Sequence, residues 1–391
     1  MKNNEYSTFD LLKYTCICTV GPSILFGIVD LQEYTNNNPF LINLVMGLTF
    51  LMVLFFSLCY AELKEIFPEE GGDFVYIERF YNENAGILYS LSTLFISGPA
   101  CNVVHLKELV KTYQLENYSK YIFYIVMTLV ASPLFLLSDK IKNRLINYLG
   151  LIHQLFILFV FISLPCAYFI ENPLIRNDEI YERGKITVKT FFHALSVGFF
   201  FYSGFNEANS LHRKQTGPLY KVYIISTTAL FIIYSCFFNM FLLLYKNDSG
   251  EINYKNVLGF LGSSHEVVYK IISTILYSIP LFSLSFMISH NINYLCRKFK
   301  LKYFYRIVYL IILMGITFGL TFFEFETVFN VISAFMILFS LLSVSGILLH
   351  KYKNKNYHMK ISLAVVVTSI IFLLLMLSLS IYYMIVSFIN V

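Results

Sequence analysis

The stretch Cys59–Tyr76, CYAELKEIFPEEGGDFVY, decides how this chain folds. An apolar run of about twenty residues precedes it, long enough to cross hydrocarbon as a helix. Tyr60-Ala61-Glu62-Leu63 ends that run with a carboxylate at the level where hydrocarbon gives way to water. Pro68 forbids continuation, because it lacks an amide donor and clashes with the preceding turn. Gly71-Gly72 lets the backbone reverse. DFVYIERFY, residues 73–81, then reads as a short helix with aromatics on one face and charges on the other, a segment that lies along a membrane surface rather than crossing it.

The rest of the chain repeats the first half of that pattern. It is 57% hydrophobic and only 14% charged, against about 25% charged for a soluble domain. Mean hydropathy is +0.65. The net charge of +5 is spread between apolar runs rather than gathered in one patch, which excludes a nucleic-acid partner. All seven cysteines lie in or beside apolar runs, so no disulfide framework or metal-ligand spacing is offered. Trp is absent and Tyr numbers 30, so Tyr must form the interfacial belt. No signal-peptide cleavage pattern precedes the first run.

Eleven spans are expected, at 11–31, 40–61, 85–105, 120–138, 146–169, 190–210, 220–245, 268–290, 303–323, 326–349 and 361–386. With the N-terminus cytoplasmic, 19 of the 29 Lys and Arg residues fall on inner segments, as the positive-inside rule requires. The sequons at Asn117 and Asn247 then both face outward. Spans 1–5 occupy 10–170 and spans 6–10 occupy 190–350, with span 11 in 351–391. Five spans per half is odd, so the second half enters the membrane in the opposite direction, which is the inverted repeat of many secondary transporters. The first span of each half carries breakers: Thr19-Val20-Gly21-Pro22-Ser23-Ile24 in span 1 and Tyr202-Ser203-Gly204-Phe205-Asn206 in span 6.

Interrupted helices at matching positions point to a midplane binding site. Unwinding frees amides and carbonyls that hydrocarbon cannot satisfy but a polar ligand can. Helix N-termini in span 1 suit a carboxylate and carbonyls released in span 6 suit an ammonium group, so one zwitterion satisfies both. A pair of ordinary Gly/Pro kinks is the alternative.

At these residues the chain resembles a known family. CYAEL, four residues, Pro, two residues, Gly-Gly, three residues and Tyr is similar to the end of span 2 and first inner loop of the L-type amino acid transporters, in the amino acid–polyamine–organocation superfamily. Val197–Asn206 resembles that family's S-G-L-F-A-Y-G-G-W-N, and Gly21-Pro22-Ser23-Ile24-Leu25 its G-S-G-I-F. The resemblance implies an amino acid substrate. It implies that Gly21, Ser23 and Ile24 hold the substrate carboxylate through backbone amides, with Leu25 also in the binding site, and that Phe200 gates the site from outside. The carbonyls of Phe200 and Ser203 would meet the amino group, with Phe201, Gly204, Phe205, Asn206 and Glu207 completing the pocket. His153 falls where sodium-independent relatives carry a Lys, which makes it a candidate to replace a coupling ion when protonated.

The departures carry weight too. Pro22 removes an amide from the anion-binding turn, Ser203 replaces a Gly and Phe205 replaces a Trp. Residues 106–120 contain no Cys, which argues against a disulfide-linked heavy subunit.

No Walker A pattern, nucleophile elbow or zinc-like spacing is present, so no catalytic residue, metal or cofactor is expected. The expectation is an all-α integral membrane protein with about eleven transmembrane helices and a 5+5 inverted-repeat core with broken helices 1 and 6. It would move neutral, apolar or aromatic amino acids by alternating access without sodium, in the plasma membrane, with the lipid bilayer and the substrate as its partners. A cationic amino acid carrier using Glu207 is the rival within transport. A non-transporting sensor derived from a transporter is the rival outside it.

Overall fold

A computed structural model describes residues 31–35, 38–68, 71–131, 187–202, 219–244, 264–300 and 304–389. It also describes isolated positions, among them Thr15, Thr19, Gly27, Gly204, Asn206, Asn209 and scattered residues of 148–163. Ten helices are named here, and among the described residues there is no strand. They are α1 Pro39–Ile66, α2 Asp73–Phe80, α3 Glu83–Tyr113, α4 Asn117–Ala131, α5 Val188–Phe201, α6 Leu219–Leu244, α7 His265–Lys298, α8 Phe304–Leu320, α9 Phe325–Lys353 and α10 Leu363–Ile389. Five stretches of them, Pro39–Ile66, Glu83–Tyr113, Leu219–Met240, Thr327–Lys353 and Leu363–Val386, are long and apolar enough to span a membrane.

Local chemistry sets the helix ends. The Asn38 side chain accepts the amides of Phe40 and Leu41, at 3.0 and 3.3 Å, and Pro39 occupies the first turn of α1, where its missing donor costs nothing. At the other end Phe67 closes α1 by donating its amide to Leu63, with extended backbone as befits the residue before Pro68. In α3, Pro99 cannot donate to the preceding turn, and the helix widens into a π turn over Thr93–Ser97 just before it.

Among the described residues, two packed groups hold most of the long helices. α1 lies against α5, α6 and α10 in one core, while α3 packs against α7 and α8 in another, with α9 in contact with α1, α3 and α10. The α1–α6 pair is antiparallel: Asn43 and Asn239 exchange amide hydrogen bonds of 3.1 and 3.0 Å near one end, and the hydroxyls of Ser57 and Thr227 meet at 2.9 Å near the other. Small polar pairs of this kind hold helices together where apolar surface alone provides no drive.

The opening stretch folds largely as its sequence dictates, with two differences. First, α1 runs on to Ile66 instead of stopping near 61, with Glu62 and Lys64 buried. Partners from α6, from the 354–362 connection and from Asn209 cover these charges. Second, α2 is a helix, but its apolar face is covered by protein rather than laid on a membrane surface. Phe74, Val75 and Ile77 pack against Tyr89 of α3 and Phe339 of α9. A Cβ on Gly346 of α9 would stand 1.9 Å from the Phe80 ring, so that ring rests directly on the α9 backbone. Lys298 fastens the outer face of α2, reaching Glu78 at 2.7 Å and Glu83 at 3.1 Å.

Gly71 and Gly72 have φ of +132° and +58°. Gly72, with ψ of −134°, adopts a conformation closed to L side chains, and α2 starts from it. Gly72→Ala is therefore expected to cost about 1–3 kcal/mol, read as a lowered unfolding temperature in detergent.

Candidate functional site

Span 6 breaks where its glycine predicts. α5 ends at Phe201, Tyr202 caps it by donating its backbone amide to Phe199 O, and Gly204 follows at φ +100°. A helix that ends inside a bundle leaves carbonyls without intrahelical donors. One of these, Phe201 O, lies 3.0 Å from the hydroxyl of Tyr234 in α6. The same hydroxyl lies 3.0 Å from Thr19 O, immediately before the breakers of span 1. A single buried phenol thus joins the end of α5 to Thr19 in the expected first span. Its ring stacks on Phe201 at 5.9 Å and meets Tyr202 edge-on at 5.6 Å.

On one side of this junction lies a cavity of about 150 Å³. Gly27 and Tyr34 from span 1, Phe200 and Phe201 from α5, Phe329 and Asn330 from α9, and Tyr383 from α10 contribute to its wall. A Cβ on Gly27 would stand 1.9 Å from the Phe201 ring, so only glycine lets span 1 approach α5 this closely. Phe200 meets Phe329 at 4.8 Å across the wall. His193 is held between Tyr34 at 5.0 Å and Tyr383 at 3.8 Å, and Glu33 provides the carboxylate of the lining.

On the other side, towards α2, the site is closed by polar groups. The half-buried Asp73 accepts hydrogen bonds from Tyr60 (2.8 Å), Ser343 (2.7 Å) and the Asn206 amide (3.1 Å). These donors come from α1, α9 and the interrupted part of span 6. Burial pushes the Asp73 carboxyl above its usual range, opposed by hydrogen bonds from Ser343, Tyr60 and Asn206. Next to it, Asn209 donates to Tyr60 O at 3.0 Å, accepts the Tyr223 hydroxyl, and offers its own carbonyl to the Lys64 ammonium at 2.9 Å. Glu62, fully buried, accepts the hydroxyls of Tyr220 and Tyr357 and the amide of Lys360 at 3.2 Å.

Of the expected site residues, Phe200 and Phe201 line the cavity, Gly204 makes the turn, and Asn206 faces Asp73. Gly21, Ser23, Ile24, Leu25, Ser203, Phe205, Glu207 and His153 lie outside the described residues. Tyr234, Asp73, Asn209 and Lys64 were not singled out by the sequence reading. Asp73 had a legible signal, an acid directly after Gly-Gly at a helix start. Tyr234 had none, being one of 30 tyrosines.

Long apolar helices packed around an interrupted one, with an aromatic cavity at one end of the break and a polar cluster at the other, define a multi-span helical membrane protein of the permease class. A family model described as amino acid permease matches residues 9–390, and the chain belongs to that family. Its members move amino acids across membranes. Direct comparison with curated proteins finds no match.

Proposed function

We propose that this permease carries neutral amino acids with apolar or aromatic side chains, without sodium, by alternating access around interrupted spans 1 and 6, as an L-type transporter does. The observation that carries the substrate class is the cavity wall. Tyr34, Phe200, Phe201, Phe325, Phe329 and Tyr383 give it an aromatic surface beside the α5 terminus. Such a wall takes up apolar side chains, while the end of a helix attracts an ammonium group.

The packing supports an inverted-repeat core. Among the packed pairs are three that a five-span offset relates: span 2 with span 7 as α1 and α6, span 3 with span 8 as α3 and α7, and span 1 with span 6 through Gly27 and Phe201. A pseudo-two-fold axis between two five-span halves brings such counterparts together. Alternating access then needs a site that one side opens while the other closes. The cavity and the Asp73 cluster lie at opposite ends of the break, as that requires.

Glu33 favours a second reading. It is the carboxylate among the described lining residues, and a cationic side chain would gain from it and from the aromatic faces. Uptake of labelled leucine into proteoliposomes, with excess leucine, phenylalanine or arginine as competitors and sodium replaced by choline, separates the two. The proposal expects saturable uptake that survives sodium removal and is displaced by phenylalanine but not by arginine. Saturable uptake of labelled arginine, with none of leucine, supports the cationic carrier. Absence of uptake of either label, together with stabilisation by an amino acid, supports a sensor.

A further inference from the structure

We propose that Asp73 is a positioning residue for the substrate site: it fixes the orientation of the Asn206 side-chain amide in the interrupted turn of span 6. The inference rests on the transport reading above and goes one layer beyond it, from the turn to what holds the turn.

An ionised carboxylate only accepts hydrogen bonds. Asn206 donates its NH₂ to Asp73 Oδ2, at 3.1 Å, so the carbonyl oxygen is the end of its amide that does not meet Asp73. The other carboxylate oxygen is engaged by Tyr60 at 2.8 Å and Ser343 at 2.7 Å. Tyr60 is 1% exposed at the end of α1, and its hydroxyl also lies within 3.2 Å of Ser340 on α9. The carboxylate is thus anchored by two elements and leaves one oxygen for the third. Its own backbone is set by the Gly71–Gly72 turn, whose positive φ angles start α2 at Asp73. The chain of cause runs from two glycines to a helix start, from there to a carboxylate, and from the carboxylate to an amide in the turn.

This gives the Gly-Gly-Asp element a function that helix punctuation does not. A loop needing only to reverse could end in any polar residue. Here the acid is 133 residues from Asn206 in sequence, as its bond records, and it dictates which end of the amide meets a ligand.

Asp73→Asn is the informative variant. Its oxygen can keep Tyr60 and Ser343, but its NH₂ then faces the NH₂ of Asn206, and the Asn206 amide must turn over to restore a bond. The fold need not suffer. Burial raises the Asp73 carboxyl above its unfolded value, so its contribution to stability is full below the unfolded pKa and lost as pH rises through the folded one. A neutral amide does not bear the cost of ionising a buried carboxyl, and thermal unfolding in detergent checks that the variant is folded. The site sees an inverted amide.

The expected result in proteoliposomes is a KM for leucine raised about tenfold in Asp73→Asn with kcat held within about twofold, the scale of one misdirected hydrogen bond. Ser345→Ala, on the same helix but bonded to Tyr81 outside the Asp73 cluster, keeps the wild-type KM. In an Asn206→Ala background, Asp73→Asn has no further effect on KM. An unchanged KM in Asp73→Asn overturns the proposal, as does a KM rise of the same size in Ser345→Ala. Leucine affinity read from thermal stabilisation of the purified protein runs in parallel. If the wild type neither transports nor is stabilised by any amino acid, the transport reading fails and takes this inference with it. Wild-type binding that Asp73→Asn leaves intact sinks the inference alone.

Discussion

Tyr234→Phe is expected to lower kcat/KM for amino acid uptake by about one to two orders of magnitude while the protein still folds. The hydroxyl is the donor that Thr19 O and Phe201 O share at 3.0 Å each. Without it, the carbonyls of Thr19 and Phe201 lose a partner in a medium that offers no replacement, and each unsatisfied group costs about 1–3 kcal/mol. The cheapest relief is for the two segments to shift until other donors are found, and that shift moves the backbone that lines the site. The ring itself stays. Phenylalanine keeps the stack on Phe201 at 5.9 Å and on Phe238 at 6.1 Å, so the core around α6 is preserved. Uptake into proteoliposomes, with size-exclusion behaviour as the control for folding, checks the result. A folded Tyr234→Phe protein with wild-type uptake would falsify the assignment.

Much of the fold could be read from the chain because hydrocarbon imposes a length on every apolar run. The break in span 6 could be read for a similar reason, since Gly204 at φ +100° is a backbone requirement with few residues able to meet it. Reading failed where a residue's meaning depends on a partner far away in sequence. Glu62 reads as the end of a span, and neither it nor Lys64 carries a local sign of being covered by protein. They are buried because Tyr220, Tyr357 and Asn209 come to them from other elements. The aromatic face of α2 read as a lipid contact for the same reason, and α9 and α3 cover it instead. Amphipathicity says that a face is buried and leaves open against what. Tyr234 is the extreme case. Nothing local separates it from the other tyrosines, and its importance comes from two carbonyls at Thr19 and Phe201.

Glu62 offers the sharpest test of whether a buried charge serves the fold or the ligand. Glu62→Ala is expected to destabilise the protein by about 3 kcal/mol or more, because hydrogen bonds to a charged group are worth about 1.5–3 kcal/mol each and three donors lose their acceptor at once. Those donors are Tyr220 at the start of α6 and Tyr357 and Lys360 in the 354–362 connection between α9 and α10. The carboxylate therefore ties the end of α1 to two other parts of the bundle. Glu62→Gln keeps the volume and one good acceptor and should lose less, placing its unfolding temperature between those of the wild type and Glu62→Ala. Tyr357→Phe removes one donor from the edge of the cluster and should lose least. A substrate-binding carboxylate would behave in the opposite order. Neutralising it with glutamine would raise KM with little change in unfolding temperature, and removing a peripheral phenol would leave both alone. If thermal denaturation in detergent gives Glu62→Ala the stability of the wild type, the carboxylate is not an anchor. If stability falls as ordered here while the KM of Glu62→Gln stays put, Glu62 belongs to the frame against which the interrupted helices move.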